Sequence, residues 1–212
     1  MGPVVEPKKI KGATSVDGAL REKSGGFLAA FAAFPKHAKF SGEMEDEGVI
    51  LLMRAHVVTN IPWLLIGLIL IIAPPLVYPW AINLELIPLL PSGLKTVLTL
   101  LWYLGVFAYI FLNFLYWYFN VYIVTNERVV DIDWYSLLHR EMSLAQISKI
   151  QDVNAIQVGV LAGLFDYGLV TIQTAGEAPN FDFTNVPHPQ LVVQKIQELM
   201  QAEEIQWEPN MP

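Results

Sequence analysis

The 212-residue chain has no cysteine, which excludes disulfides, thiolate metal sites and cysteine nucleophiles and leaves its redox compartment unmarked. Charge is missing from two long stretches, residues 55–84 between Arg54 and Glu85, and residues 96–126 between Lys95 and Glu127. Basic residues are scarce as well, with 13 Lys/Arg against 20 Asp/Glu. From Phe119 to the carboxyl end, four Lys/Arg stand against twelve Asp/Glu, a net charge of −8. Nucleic-acid binding and attraction to anionic headgroups both depend on clustered basic side chains. The balance therefore excludes a nucleic-acid partner and makes phosphoinositide binding an unfavourable expectation.

What remains is abundant apolar surface, 54% hydrophobic residues against 16% charged. A helix crosses roughly 30 Å of hydrocarbon with about 20 apolar residues. Residues 61–80 and 97–118 each supply such a run, whereas buried helices of soluble domains rarely exceed about 14 unbroken apolar residues. We expect a membrane anchor over residues 47–119, with spans at about 57–80 and 94–118. The first stretch starts too far into the chain, and without a short basic region before it, to read as a cleaved signal.

Eight basic residues precede the first span, one (Lys95) lies between the spans, and four follow the second. The positive-inside rule then places both termini in the cytoplasm of a multi-pass protein of the cell membrane. Interfacial aromatics fit this topology, with Trp63, Tyr116, Trp117 and Tyr118 at the inner boundary and Tyr78 and Trp80 at the outer one. Pro74-Pro75 predicts a kink or an end of the first helix near Ala73. Asn113, polar and deep in the second span, is expected to seek a partner on another helix. Neither span core carries an ionisable side chain, which argues against a transport pathway.

Residues 1–46 read as a mostly disordered cytoplasmic tail. Phe27, Phe31 and Phe34 fall on one helical face and suggest an interfacial helix over residues 24–34. After Phe119 the period changes to that of strands. Candidates are residues 121–125 and 128–134 around a tight Asn126-Glu127 turn, then 138–144, 151–158, 168–174 and 180–185. A final amphipathic helix is expected over residues 189–202, covering the sheet. The fold class is thus an α+β membrane protein: two transmembrane helices, then a cytoplasmic antiparallel barrel or sandwich over residues 120–203 capped by a carboxy-terminal helix, with residues 204–212 as a tail.

Residues 122–128 (YIVTNER), 147–153 (ISKIQDV), 159–168 (GVLAGLFDYG) and 170–176 (VTIQTAG) follow one another in an order that resembles the bacterial pleckstrin-homology (PH) membrane family of the YdbS type. Residues 47–56, ahead of the first span, are similar to that family as well. The resemblance covers about residues 47–200 and implies a PH-like barrel with no established catalytic activity. Its motif positions here are Thr125, Asn126, Arg128, Gln151, Asp152, Gly163, Gly168, Thr174 and Gly176. Gly159, Gly163, Gly168 and Gly176 are read as turn and positive-φ positions rather than a phosphate cradle. Arg128 and Asp152 either hold a ligand or, as we favour, pair to fix the barrel. His139 and His188 lack ligand spacing and a nucleophile partner. We therefore expect no catalytic residue, metal or cofactor. The expected function is a non-enzymatic membrane-tethered module that recruits or scaffolds a protein partner or forms a homo-oligomer. The alternatives are binding of a lipid or small apolar ligand, or service as an accessory subunit of a membrane enzyme or transporter.

Overall fold

A computed structural model describes residues 14–25, 29–35, 47–83, 91–136, 139–175 and 180–207. The chain forms two compact units, residues 58–118 and residues 1–57 together with 119–212.

The first of these is a pair of helices, α2 (Ile61–Asn83) and α3 (Ser92–Phe119). Both are long and apolar enough to cross a membrane, and only 6% of either apolar window is buried within the protein. Pro62 sits in the first turn of α2, where a missing N–H is harmless. The helix does not end near Ala73; it continues through Pro74, Pro75 and Pro79 to Asn83. Proline cannot donate to the carbonyl four residues earlier, so Pro74 and Pro75 orphan the carbonyls of Leu70 and Ile71. Those two carbonyls accept hydrogen bonds from α3: Trp102 Nε1 donates to Leu70 O at 2.9 Å and Tyr103 Oη to Ile71 O at 3.3 Å. Close approach is helped by Gly67, where an added Cβ would meet Ile110 Cγ1 at 2.9 Å. Asn113 does not bridge the helices through its amide nitrogen, which bonds back to Tyr109 O of its own helix at 2.8 Å.

The second unit contains α1 (Thr14–Lys23), β1 (Phe31–Ala33), β2 (Val49–Met53), β3 (Val121–Thr125), β4 (Arg128–Ser136), β5 (His139–Gln146), β6 (Ile150–Ile156), α4 (Val160–Phe165), β7 (Tyr167–Thr174), β8 (Phe181–Pro187) and α5 (Pro189–Trp207). Strands β1 to β5 form one antiparallel sheet in sequence order, and β6 to β8 form another. The barrel is not closed. Apolar residues from both sheets meet in one core, including Val124, Val129, Val170, Ile172 and Phe183, and α5 closes it with Val192, Ile196 and Leu199.

The amino-terminal region corrects the expectation of a tail with an interfacial helix. Phe31 belongs to a strand paired with β2 in register Phe31↔Met53, and Phe34 lies just beyond it in a turn with φ 51°. Phe27 is outside the described residues. Leu20 of α1 is 0% exposed and Phe31 is 3% exposed, both inside the main core. Lys195 of α5, itself buried, reaches Asp17 Oδ1 at 2.6 Å and Glu198 Oε2 at 3.2 Å. α1 is thereby pinned to α5 by an ion pair as well as by apolar contact.

β2 and β3 are hydrogen-bonded neighbours, with Met53↔Tyr122 and Leu52↔Ile123 in register, yet the whole helical unit lies between them in sequence. The chain leaves the sheet at Met53 and returns at Val121, the residue before Met53's partner Tyr122, so both connections lie at one end of a single strand pair.

Candidate functional site

The motif residues of the β3–β4 corner are engaged in bonds within the turn and to the start of β2. Thr125 Oγ1 accepts from the backbone N–H groups of Glu127 (3.2 Å) and Arg128 (3.0 Å) and donates to Arg128 O (2.9 Å), which fixes the turn. Asn126 Oδ1 accepts from Gly48 N at 2.8 Å and Asn126 N donates to Gly48 O, fastening the start of β2 to that turn. Arg128 does not pair with Asp152. Its Nε and Nη2 grip Glu47 Oε1 and Oε2 at 2.8 and 2.5 Å in a two-pronged bridge across the strand ends. The Glu47 side chain is wholly buried, and this bond raises the Arg128 pKa. Such a fork is the geometry in which a guanidinium holds a carboxylate best.

Asp152 and Gln151 are exposed on β6, where Asp152 accepts from Val153 N and Asn154 Nδ2 at 2.9 and 2.7 Å. Thr174 is buried at the end of β7. Gly159 has φ 95°, as a turn glycine should, whereas Gly163 is helical with open space at its Cβ position. Gly168 serves close approach in a strand: a Cβ there would sit 2.6 Å from Ile156 O. The His139 side chain and Gly176 lie outside the described residues. Trp63 stands at the start of α2 with its indole on Asn60 Oδ1 at 3.1 Å, Tyr78 and Trp80 are exposed in its last turns, and Tyr116, Trp117 and Tyr118 end α3.

Two further features of the folded unit are built from other residues. The first is an acidic recess of about 310 Å³ lined by Asp131, Asp133, Glu141, Ser143, Asn180, Phe181 and Asp182. Pairing fixes which face these side chains occupy. Tyr122 is opposite Asp131, Val124 opposite Val129 and Asp133 opposite Glu141, so Asp131, Asp133 and Glu141 share the face that carries the core residues Tyr122, Val124 and Val129. The other face of β4 carries Val130 and Ile132, which form a small apolar cluster with Ile123. Carboxylates thus stand where the core would otherwise continue between the sheets. Like charges directly across a strand pair are destabilising, and their hydration opposes closing the sheets over them.

Asp131 feels this most. Burial, then the neighbouring Asp133 and Glu141 charges, push its pKa up to about 7, and burial and Glu141 push Asp133 upward as well. Asp131 Oδ1 is buried with no hydrogen-bond partner among the described residues. The recess can attract a cationic group or exchange a proton near neutrality. Among the described residues no three His, Cys, Asp or Glu side chains are grouped to hold a metal ion.

The second feature is a knot at the base of α4. Asp166 caps α4 in the left-handed conformation (φ 52°), its N–H donating to Ala162 O. Its carboxylate lies 2.5 Å from His188 Nδ1 and accepts from Gln157 Nε2 at 3.1 Å. Burial opposes its ionisation, but these hydrogen bonds and the charges of His188 and Lys23 together hold its pKa below the ordinary carboxylate range. His188 and Asn185 also adopt positive φ, 51° and 56°. His56 stacks on Tyr167 at 5.4 Å, and its N–H donates to Asn185 O at 2.8 Å. Burial, then the His188 charge, lowers the His56 pKa against the opposing effect of Asp166. Three non-glycine residues in a strained region cost of order 1–3 kcal/mol each and persist only where the surroundings over-determine them.

The recess and the knot were both missed in the sequence. The inward carboxylates were hidden because RVVDIDW reads equally well with either face outward, and the histidines because His56, His188 and Asp166 are far apart along the chain.

No curated protein and no solved structure matches this chain. The family model described as Bacterial PH domain matches residues 49–200. With two antiparallel sheets, a closing terminal helix and a match over most of its length, the chain belongs to the bacterial PH domain family.

Proposed function

We propose that this protein is a non-enzymatic PH-like module of the YdbS type, tethered to the cytoplasmic face of the cell membrane, where it recruits or scaffolds another protein or its own copies. The observation that carries the tether is the treatment of Pro74 and Pro75. The two carbonyls they orphan are satisfied by Trp102 and Tyr103, on helices whose apolar surface is otherwise exposed. In water such carbonyls would be hydrated, whereas in hydrocarbon each unsatisfied group costs several kcal/mol. The distribution of basic residues supports a topology with both termini inside.

The PH-like fold supports an interaction module of protein or lipid type. The sign of the unit favours a protein partner, since a net −8 domain repels anionic headgroups. A recess lined by carboxylates is also a poor container for an apolar ligand. The test is purification of the full-length protein in mild detergent, with crosslinking and native mass measurement. The proposal expects a stoichiometric protein partner or a defined homo-oligomer. A bare monomer carrying one specific lipid would overturn it.

A further inference from the structure

α4 is a six-residue helix that presents its apolar side chains outward. Val160 is 87% exposed, Val158 81%, Leu164 73% and Leu161 58%, while Ala162 is buried and seats the helix on the unit. Apolar residues scattered over a soluble surface need no explanation, but a contiguous cluster at a protruding tip marks a binding surface. The tip is also neutral. No charged residue occurs from Val153 to Phe165, within a unit that is otherwise strongly acidic.

The tip lies at a particular end of the folded unit. Tyr167, directly after α4, is stacked with His56, the residue before Val57, where the first apolar span begins. Phe165 lies 6.4 Å from the same imidazole. Asn185 O accepts from His56 N, and Tyr122 Oη, one residue into β3 after the second span, bonds to Thr184 Oγ1 at 3.0 Å. The base of α4 therefore belongs to the end of the folded unit from which the chain departs into both spans. Trp134 stands at that end too, with Phe119 at 5.5 Å and Arg140 over its ring at 5.9 Å. Aromatic and cationic side chains in such company are those favoured at a headgroup boundary.

We propose that the α4 tip, residues 158–165, is a bilayer-inserting element whose Val158, Val160, Leu161 and Leu164 side chains enter the interface of the membrane that holds the spans. This inference rests on the tethered reading above and deepens it. The partner is the acyl and glycerol region of the lipid, recognised by apolar contact, without charge. The Asp166–His188 knot sets the angle of the tip by fixing its carboxy-terminal end. The unit is then held at three points: two covalent connections and one side-chain wedge.

The absence of native cysteine allows a clean test in the full-length protein reconstituted into phosphatidylcholine vesicles. Leu164→Cys, Val160→Cys, Asp182→Cys and Ile69→Cys are each labelled with an environment-sensitive fluorophore and exposed to lipids carrying a quencher at shallow or deep acyl positions. All four sites are at least partly exposed, so the fold tolerates the label. The expected result is at least twofold stronger shallow-lipid quenching at Leu164 and Val160 than at Asp182, with deep quenching at Ile69. Quenching at Ile69 without quenching at Leu164 and Val160 overturns the wedge and leaves the tether standing. No quenching at Ile69 overturns the tether itself, and the wedge with it. A blue-shifted but unquenched Leu164 shows that protein covers the tip, and also overturns the proposal.

Discussion

The two units handle the same chemical problem, apolar surface, in opposite ways. α2 and α3 turn nearly all of theirs outward and spend their polar side chains on their own backbone, as Trp102, Tyr103 and Asn113 show. The folded unit turns its apolar residues inward and satisfies its buried charges by pairing, Glu47 with Arg128 and Lys195 with Asp17. Among the described residues Asp131 stands apart, since it faces inward and its Oδ1 has no hydrogen-bond partner. Among the described residues, the rule of the folded unit is broken at the recess, where carboxylates face inward, and at α4, where apolar side chains face outward.

The contrast can be tested by breaking each unit at its own kind of contact. Arg128→Met removes the fork that holds a fully buried carboxylate and should cost the folded unit about 3–5 kcal/mol. Hydrogen exchange of the full-length protein in micelles should show this as faster exchange in β2 to β4, with α2 and α3 unchanged. Leu20→Ala removes a completely buried side chain from α1 and should cost about 2–4 kcal/mol, lowering the thermal midpoint. An unaffected midpoint would mean that α1 does not belong to the core.

In the helical unit, Trp102→Phe with Tyr103→Phe keeps the rings and leaves the Leu70 and Ile71 carbonyls unsatisfied. The expected loss is about 1–2 kcal/mol of helix-pair stability, each interhelical bond being worth roughly 0.6–2 kcal/mol in a membrane. It should be visible as earlier separation of the helices in a detergent titration, while the folded unit keeps its exchange pattern.

The smallest expected effect concerns Asp131. Its native pKa of about 7 lies above the ordinary 3.8, so the native state binds the proton more tightly than the unfolded one. The stability this lends is complete below about pH 4 and is lost as the pH rises through 7. Asp131→Asn should therefore raise the thermal midpoint at pH 8 by an amount equivalent to about 1–2 kcal/mol, after allowance for partial exposure, and change little at pH 4. Equal effects at both pH values would remove the electrostatic account of the recess.

The two long apolar helices were legible because an unbroken apolar run is a feature of composition, which needs no long-range contact to read. The strands from β3 to β8 were legible within about two residues at most ends, since their β-branched runs and turn residues are local signals. α1 and β1 were not legible. A three-residue strand such as β1 has no measurable period, and the spacing of Phe27, Phe31 and Phe34 imitates a helical stripe. Leu20 and Phe31 are buried only because α5 and β2, distant in sequence, come to cover them. The partner of Arg128 was misassigned to Asp152 for the same reason: Glu47 lies across the entire helical unit in sequence, and proximity in the family motifs favoured a nearer carboxylate.

The central claim, that the folded unit sits on the cytoplasmic side and the helical pair crosses the bilayer, is tested most directly by cysteine accessibility in intact cells. Lys95→Cys, in the first turn of α3, and Asp182→Cys, in the recess, are treated with a membrane-impermeant maleimide before and after permeabilisation. The account predicts that Cys at position 95 reacts in intact cells and Cys at position 182 reacts only once the membrane is opened. Equal labelling of both positions in intact cells, or of neither until permeabilisation, would contradict it.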